Sequence, residues 1–362
     1  QGFCLQHTLD LGSLFKYLDL VAVSIASDIV PMVGENRILA YFGMQKINSQ
    51  PLKSIQALID IAGIKAPISI SDVVFYVGPR INAAGRLRHA HESVDLLVSE
   101  DPVQLKDFAQ RLNEVNKMRQ NIDQTITEEA LRTIHEELPD TAKSTVLFNP
   151  KWHKGIVGIV ASRCIEHYFR PTIILTESNG VATGSARSIE GFDIHAALGK
   201  CADLLLQYGG HAFAAGMSLA LNNVDLFKER FEEIVKNTIP PDSERPKLIV
   251  DAQVPLDFIH FKNFNILNQM TPFGPQNMQP VFVTEHVKLV GSPKIIKEKH
   301  LKLQVKQGDT EVPIEAIAFG LGGLEASILA AESFRMAYHI DLNEFRGRKR
   351  LQLIVKDIKF YN

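Results

Sequence analysis

The chain has 362 residues, 45% hydrophobic and 22% charged, with a formal net charge of −2; it can fill more than one core and is not a wholesale basic nucleic-acid binder. The charge is uneven, because residues 245 to 362 carry 16 Lys and Arg against 12 Asp and Glu, and a modestly basic C-terminal part hints at a polyanionic partner. Cys4, Cys164 and Cys201 form no CxxC pair, no apolar run reaches membrane-span length, and the first residue is Gln with no leader behind it; reduced thiols, a cytoplasmic location, no zinc, no membrane partner and a fragment of a longer protein are expected.

In chain order, the run LDLVAVSIA ending at Ala26 is apolar and rich in β-branched residues, like a buried parallel strand. PLKSIQALIDIAGI (51–64) reads as an amphipathic helix stopped by Gly63, and ESVDLLVSE as a shorter one. Pro102, capped by Asp101 or Ser99, opens a helix that meets no Gly or Pro before Pro139; Phe108, Leu112, Val115, Ile122 and Ile126 give it an apolar face. About 36 residues at ~1.5 Å span roughly 54 Å, long enough to bridge two bodies or to lie along one. TVLFNP, KWHKG, IVGIVASRCIEHY and PTIILTE then read as strand, loop, helix and strand, GVATGSARS as a further strand, and HAALGKCADLLLQY as a helix leading into YGGHAFAAGMSL. NTIPPDSERPK (237–247) reads as a linker. Beyond it PVFVTEHVKLV, HLKLQVKQ, VPIEAIAFG, FRMAYHIDL and RLQLIVKDIKFY alternate like strands, with a short helix near LEASILAAE. That composition suits a small Greek-key barrel of the OB type, with a β-sandwich as the alternative.

Several residues could carry chemistry, and each has a structural reading beside the functional one. Asp28, placed just past the first strand-like run, is either a hard ligand for Mg²⁺ or Mn²⁺ or the cap of the turn before Pro31; one carboxylate does not make a two-metal site. GPRINAAGRL (78–87) offers Arg80, Asn82 and Arg86 on a Gly-rich turn that could approach a phosphate, or a tight connection bearing surface arginines. Period-two alternation puts Thr183, Ser185 and Arg187 of TGSARS on one strand face, as a phosphate strip or a solvated face. His153 and Lys154 sit in a strand-to-helix loop, where an anion could bind or Trp152 and the glycines could simply pack. Gly209 and Gly210 would let His211 project from a turn at a helix start toward a phosphate oxygen; the residues alone favour a satisfied structural histidine. In HLKLQVK, His300, Lys302, Gln304 and Lys306 share a face that could track a phosphate backbone or merely be solvated.

The order of LDLVAVSIASDIVPMVGENR, GPRINAAGRL, WHKGIVGIVASR, GSARSIEGFDIHAAL, YGGHAFAAG and PFGPQNMQPVF resembles the RecJ family of single-strand-specific DNA exonucleases, within the DHH phosphoesterase superfamily, over essentially the whole chain. The resemblance implies an α/β multidomain protein with four parts. These are the remainder of a DHH α/β domain (1–101), a connecting helix (102–138), a DHH-associated α/β domain (139–240) and a C-terminal OB-like β-barrel (245–362). It implies 5′-to-3′ hydrolysis of single-stranded DNA with Mn²⁺ or Mg²⁺, in repair and recombination, and leaves room for a single-strand-binding protein or a helicase as partner. By the same resemblance Asp28 is a metal ligand, Arg80 matches a phosphate-binding position, and Ser185, Arg187 and His211 match substrate contacts, with His211 near the scissile phosphate; Asn82, His153, Gly209 and Gly210 join them as phosphate-side candidates from the turn and loop readings above, and Asp28 and His211 are the catalytic candidates. Two departures stand out. The family's PFGxGNPxP appears as PFGPQNMQP, with Gln276 and Met278 substituted, and the Asp-His-His triplet that names the superfamily is not in the chain. A DHH phosphodiesterase for short oligonucleotides or cyclic dinucleotides, and a non-catalytic single-strand-binding module, are the rival readings.

Overall fold

The computed structural model describes residues 6–7, 10–243, 246–308 and 312–361; Cys4, Glu244 and Arg245 lie outside them. In chain order the α-helices longer than one turn are α1 (Leu18–Ser27), α2 (Gly34–Ser49), α3 (Lys53–Ala62), α4 (Gly78–Leu87), α5 (His91–Val98), α6 (Pro102–Glu137), α7 (Val157–Tyr168), α8 (Ile194–Gly199), α9 (Val224–Thr238), α10 (Phe261–Asn268) and α11 (Glu325–Ala330). The strands are β1 (Thr145–Phe148), β2 (Thr172–Ser178), β3 (Val181–Arg187), β4 (Leu205–His211), β5 (Ala214–Leu219), β6 (Ala252–Gln253), β7 (Phe282–Leu289), β8 (Lys294–Ile296), β9 (His300–Gln307), β10 (Ile314–Ala318), β11 (Phe334–Phe345) and β12 (Arg348–Phe360). Two units emerge, Lys46–Lys247, and Gln1–Gln45 with Leu248–Asn362.

In the unit Lys46–Lys247 the expected long helix is α6, 36 residues, with the Asp101 carboxylate accepting the Val103 N–H at 2.9 Å. Its earlier turns hold α4, through Arg80 Nε donating to Asn113 Oδ1 at 3.1 Å, and its later turns hold the sheet, through Trp152 Nε1 donating to Glu129 Oε2 at 2.8 Å. Trp152 is therefore a packing residue, buried with Ile126, Ile134, Val160 and Cys164. The sheet runs β1-β2-β3-β5-β4, with β1 and β2 parallel across α7 and the rest antiparallel. One face buries Ile173, Leu175, Ala186, Ala215 and Met217 with Phe227 and Phe231 of α9. The opposite face buries Leu147 and Ile174 against α6 and α7.

Glu232 of α9 staples that helix to the approach to β1. Its carboxylate accepts the backbone N–H groups of Lys143 (2.9 Å) and Ser144 (2.8 Å) and the Ser144 hydroxyl (2.6 Å). Burial alone would raise its pKa, yet these bonds and Lys236 outweigh burial and hold it below the usual 4.5. A depressed carboxylate stabilises the fold above its unfolded pKa and loses that contribution as pH falls through the folded value. The stability gap between the parent and Glu232→Gln is therefore expected to be widest near pH 7 and to close in the acid range below 4.5, followed by Trp152 fluorescence in urea.

Three local readings are corrected. LDLVAVSIA is α1, not a strand: Asp19, Ala22, Val23, Ile25 and Ala26 are buried at helical spacing. Small residues decide it, since a Cβ on Gly43 of α2 would lie 2.5 Å from the Ala22 Cβ and 2.3 Å from the Leu18 carbonyl oxygen. GPRINAAGRL is α4, not a loop; Pro79 sits in the first turn, where its missing N–H costs nothing, and Ala83 and Ala84 are buried. The helix expected through Tyr208 stops at Gly199, and YGGH is the end of edge strand β4, so His211 belongs to a β-hairpin and not to a helix start. Gly210, at φ 148°, is required there, because a Cβ would meet the Ala214 carbonyl oxygen at 2.3 Å.

In the other unit, β7 pairs with both β11 and β9, closing a five-strand barrel in the order β7-β11-β12-β10-β9, with β6 and β8 appended and β10 parallel to β12. Closure removes edges and matches the OB-type expectation over the sandwich. Its core contains Val287, Leu301, Leu303, Ala316, Phe334, Tyr338 and Leu353, and the buried Tyr338 hydroxyl shares a 2.7 Å hydrogen bond with Thr284 Oγ1. PFGPQNMQP serves structure: the Met32 N–H donates to the Pro275 carbonyl at 2.7 Å, and Gly274 leaves room for the Met32 side chain. Gln276 occupies φ 63°, a left-handed conformation that costs a non-glycine residue roughly 1–2 kcal/mol. Gln276→Gly is expected to raise stability by about 0.5–1 kcal/mol in urea unfolding followed by circular dichroism; an unchanged midpoint would refute it.

Candidate phosphate-binding site

The register of the β3-β5-β4 antiparallel strands assembles the site. Ser185 pairs with Gly216, which pairs with Gly209, and Arg187 pairs with Ala214, which pairs with His211. Ser185 also pairs with Ile174, which packs toward α6 and α7, so both rows lie on that side of the sheet. Arg187 and His211 are thus two strand spacings apart, roughly 10 Å. The helices cover this face over β1 to β3 only. Gly209, His211 and Gly216 are exposed, leaving a shelf of small residues with Ser185 and Arg187 on one side and His211 on the other.

Each polar group is oriented. Arg187 Nη1 donates to Ser185 Oγ at 2.6 Å and to its neighbour Ala186's carbonyl at 2.8 Å. Gly158, in the first turn of α7, makes space for the pair, because a Cβ there would lie 3.0 Å from Arg187 Nη2 and 3.1 Å from Ser185 Oγ. His211 Nδ1 accepts the Phe213 N–H at 3.3 Å, which leaves Nε2 as the donor of the neutral ring. Gly209 and Gly216 serve no internal need: a Cβ would find nothing within 4 Å at Gly209 and only the Gly184 oxygen, 3.9 Å away, at Gly216.

The shelf belongs to a cationic cluster, most of which sequence reasoning missed. Burial and then Arg86 pull down the Arg187 pKa. Burial lowers that of Arg119, with Asp123 raising it and Arg86 and Arg163 lowering it. Asp123, buried on α6, accepts from Arg163 of α7 at 3.0 to 3.2 Å and from Arg119 at 3.4 Å, whereas Arg86 and Arg187 have no carboxylate partner among the described residues. Arg86 Nη1 donates to the Gly155 carbonyl at 3.3 Å, and a Cβ on Gly155 would strike the Arg86 carbonyl oxygen at 2.1 Å. GPRINAAGRL and KWHKG, separate in sequence, therefore meet through Arg86. The available signal was polar residues, Asn116 and Asp123, seven apart on the buried side of α6.

The other candidates have local surroundings of their own. Arg80 donates to Asn113 and to the Tyr76 carbonyl (2.6 Å), and burial lowers its pKa. Asn82 and His153 are exposed, with His153 Nδ1 accepting the Gly155 N–H at 3.1 Å. Asp28, in the other unit, is the exposed C-cap of α1 instead of the residue after a strand. It faces the negative end of that helix, so it contributes nothing favourable there. Among the described residues no group of three or more His, Cys, Asp or Glu could hold a metal ion, so Asp28 alone does not build a metal centre. Among the described residues no helix is long and apolar enough to cross a membrane.

Residues 141–237 match the DHHA1 domain model and residues 250–357 the RecJ OB domain model. The chain is 33% identical to the single-stranded-DNA-specific exonuclease RecJ of Bacillus subtilis, covering 98% of this chain and 45% of that protein. It is 32% identical to the Escherichia coli protein of the same name, covering 99% of this chain and 63% of that one. Thermus thermophilus RecJ in complex with Mg²⁺ superimposes with a TM-score of 0.85 at 25% identity, over 99% of this chain and 54% of that one. The Mn²⁺ complex gives 0.85 at 26%, over 99% and 51%. The chain thus spans 45% to 63% of the length of these relatives.

Proposed function

Because this chain belongs to the RecJ family, we propose that the complete protein hydrolyses phosphodiester bonds of single-stranded DNA from the 5′ end, and that the shelf on β5 and β4 receives the strand's phosphates. The observation that carries this reading is the register placing Ser185, Arg187 and His211 around an uncovered floor of glycine and alanine. Arg187, held by Ser185, presents a planar guanidinium to phosphate oxygens, and His211 donates from Nε2 at the opposite side. Arg86 adds positive charge without a carboxylate to neutralise it, so an anion relieves the repulsion it shares with Arg187. These groups orient the phosphate and stabilise charge developing on its oxygens.

A divalent ion, Mg²⁺ or Mn²⁺, would supply the activated water. Asp28 is proposed as one of its ligands in the complete protein, and the described residues do not complete the set. The 362-residue chain by itself is therefore expected to bind single strands and to cut them slowly or not at all. Given Mn²⁺ or Mg²⁺, the complete protein is expected to release nucleotides from single-stranded DNA, to spare duplex, and to lose turnover with Asp28→Ala. Equal attack on duplex, or full turnover by Asp28→Ala, would overturn the proposal.

The glycine floor gives a test that separates function from folding. An added Cβ at 216 has room, and valine favours a strand, so Gly216→Val is expected to leave thermal unfolding nearly unchanged. The branched side chain stands on the floor, however, and hydrolysis of single strands by the complete protein is expected to fall at least ten-fold. Undiminished hydrolysis by a folded Gly216→Val protein would show that nothing lies on the shelf.

A further inference from the structure

The unit Lys46–Lys247 holds a small cavity that none of the shelf residues lines. It forms where two helices stop. Pro139 pushes the preceding residue, Leu138, out of helical conformation to ψ 133°, and α6 ends there. α7 ends at Tyr168, because Phe169 takes a left-handed conformation at φ 43° and turns the chain into Arg170 and β2. The two stretches that follow these helix ends, together with Ile134, His135 and Ile239, enclose about 220 Å³. The cavity sits by the start of β1 and β2. Thr145 pairs with Thr172 and Thr172 with Arg187, so β1 lies two strand spacings, roughly 10 Å, from the Arg187 side of the shelf.

Arg170 dominates the lining. It is only 8% exposed, with Nε donating to Thr145 Oγ1 and Nη1 to the Ala142 carbonyl, both at 2.8 Å. Nη2 has no partner among the described residues, yet it is not sealed from solvent, which leaves its N–H groups for the cavity. The guanidinium carbon stands 5.2 Å from the centroid of the Tyr168 ring, which holds the group in place from another side. Burial lowers the Arg170 pKa and outweighs Glu232, Tyr168, Asp140 and Cys164, which all raise it. Glu232 does not pair with it, because that carboxylate is taken by the Lys143 and Ser144 amides and the Ser144 hydroxyl. Lys143 and His135 line the same cavity, against the single carboxylate of Asp140. A buried guanidinium fixed through two of its nitrogens, with donors to spare and a second cation beside it, is built to receive an anion.

Size and charge narrow the anion. Pockets for drug-sized ligands begin at ~300 Å³, so about 220 Å³ suits a compact group. A phosphate monoester is close to doubly charged at neutral pH and has three acceptor oxygens, enough to meet Arg170 and Lys143 at once. We infer that this cavity binds the phosphate group of a small molecule, either free phosphate or a mononucleotide. The mononucleotide arm rests on the proposed hydrolysis, which releases that product; the cavity then holds product at a place separate from the shelf.

The test titrates the 362-residue chain in EDTA with thymidine 5′-monophosphate, thymidine and orthophosphate, by isothermal calorimetry. Arg187→Ala supplies the background, because it removes the shelf's guanidinium. In that background the monophosphate is expected to bind at one site, and adding either Lys143→Glu or Arg170→Gln is expected to weaken it at least ten-fold. Thermal unfolding checks each variant. Lys143→Glu decides the matter if Arg170→Gln, which also disturbs the bonds to Thr145 and Ala142, does not fold. Tighter binding of the monophosphate than of orthophosphate supports the site and assigns it to the mononucleotide; equal binding of the two, with thymidine silent, supports it and assigns it to free phosphate. Thymidine binding as tightly as its monophosphate overturns the inference, and so does monophosphate binding that neither added variant weakens. Binding by the parent that Arg187→Ala abolishes also overturns it, and leaves the shelf proposal standing. A parent that binds none of the three overturns the cavity alone, since the shelf is judged by a strand. Cavity-dependent monophosphate binding beside strand binding that ignores Arg187→Ala overturns the shelf and leaves the cavity.

Discussion

Replacing Arg187 by alanine is expected to lower turnover of single-stranded DNA by the complete protein by roughly 10²–10³-fold, the usual consequence of removing one oriented charge-stabilising donor. The geometry explains why one side chain matters so much. Its guanidinium is positioned by Ser185 Oγ at 2.6 Å and the Ala186 carbonyl at 2.8 Å, and Gly158 leaves space for both groups. Half-buried and next to Arg86, it carries its charge against desolvation and repulsion, and a phosphate relieves both. Arg187→Lys should restore little, because an ammonium cannot span two phosphate oxygens with a fixed fork. Stability should not fall in parallel, since the substitution removes a repulsive neighbour of Arg86. A large loss of turnover with an unchanged unfolding midpoint is the expected pair of results, from steady-state kinetics and thermal unfolding. A loss of both together would mark Arg187 as structural.

Asp123→Ala is expected to have the largest effect on stability, about 3–5 kcal/mol, because it leaves charges beside a buried site without their partner. The Asp123 side chain is 2% exposed and that of Arg119 12%. Arg163 grips both carboxylate oxygens and so ties α7 to α6, the same helix α7 whose first turn borders Ser185 and Arg187. Without the carboxylate, four arginines would remain with no counter-charge inside the cluster. Asp123→Asn keeps the volume and one acceptor and should lose less. The single tryptophan, Trp152, is buried in this same unit, so its fluorescence in urea reports this loss and not the unfolding of the barrel. A loss under 1 kcal/mol for Asp123→Ala would mean that water replaces the carboxylate and that the cluster is wet.

The legible parts of this chain were those where one signal dominates. The helix α6 carried a cap, a proline at its start and 36 residues without a breaker, and the barrel strands alternated cleanly because one face is core and one is solvent. The run that became α1 is apolar on every side, which a short window cannot assign to strand or helix; the close approach of Gly43 to Ala22 decided it from outside the window. Likewise, YGGH continues an apparent helix in sequence, and only pairing with β5 shows it to be an edge strand. Ser185, Arg187 and His211 could be singled out from motifs, but not the row that joins Arg187 to His211 across Ala214. Arg119, Arg163 and Asp123 come from two helices and share no motif, so their cluster exists only after α6 and α7 have packed.

The central claim is that a strand phosphate rests between Ser185–Arg187 and His211. It is tested most directly by the arginine side-chain ¹⁵Nε–¹H resonances of the 362-residue chain, titrated with a short oligothymidylate in EDTA, with Arg187→Lys identifying the Arg187 signal. The account predicts that the Arg187 resonance moves in a saturable manner and that Arg86 follows. Saturable shifts confined to the unit containing Leu248–Asn362, with Arg187 unmoved, would contradict it.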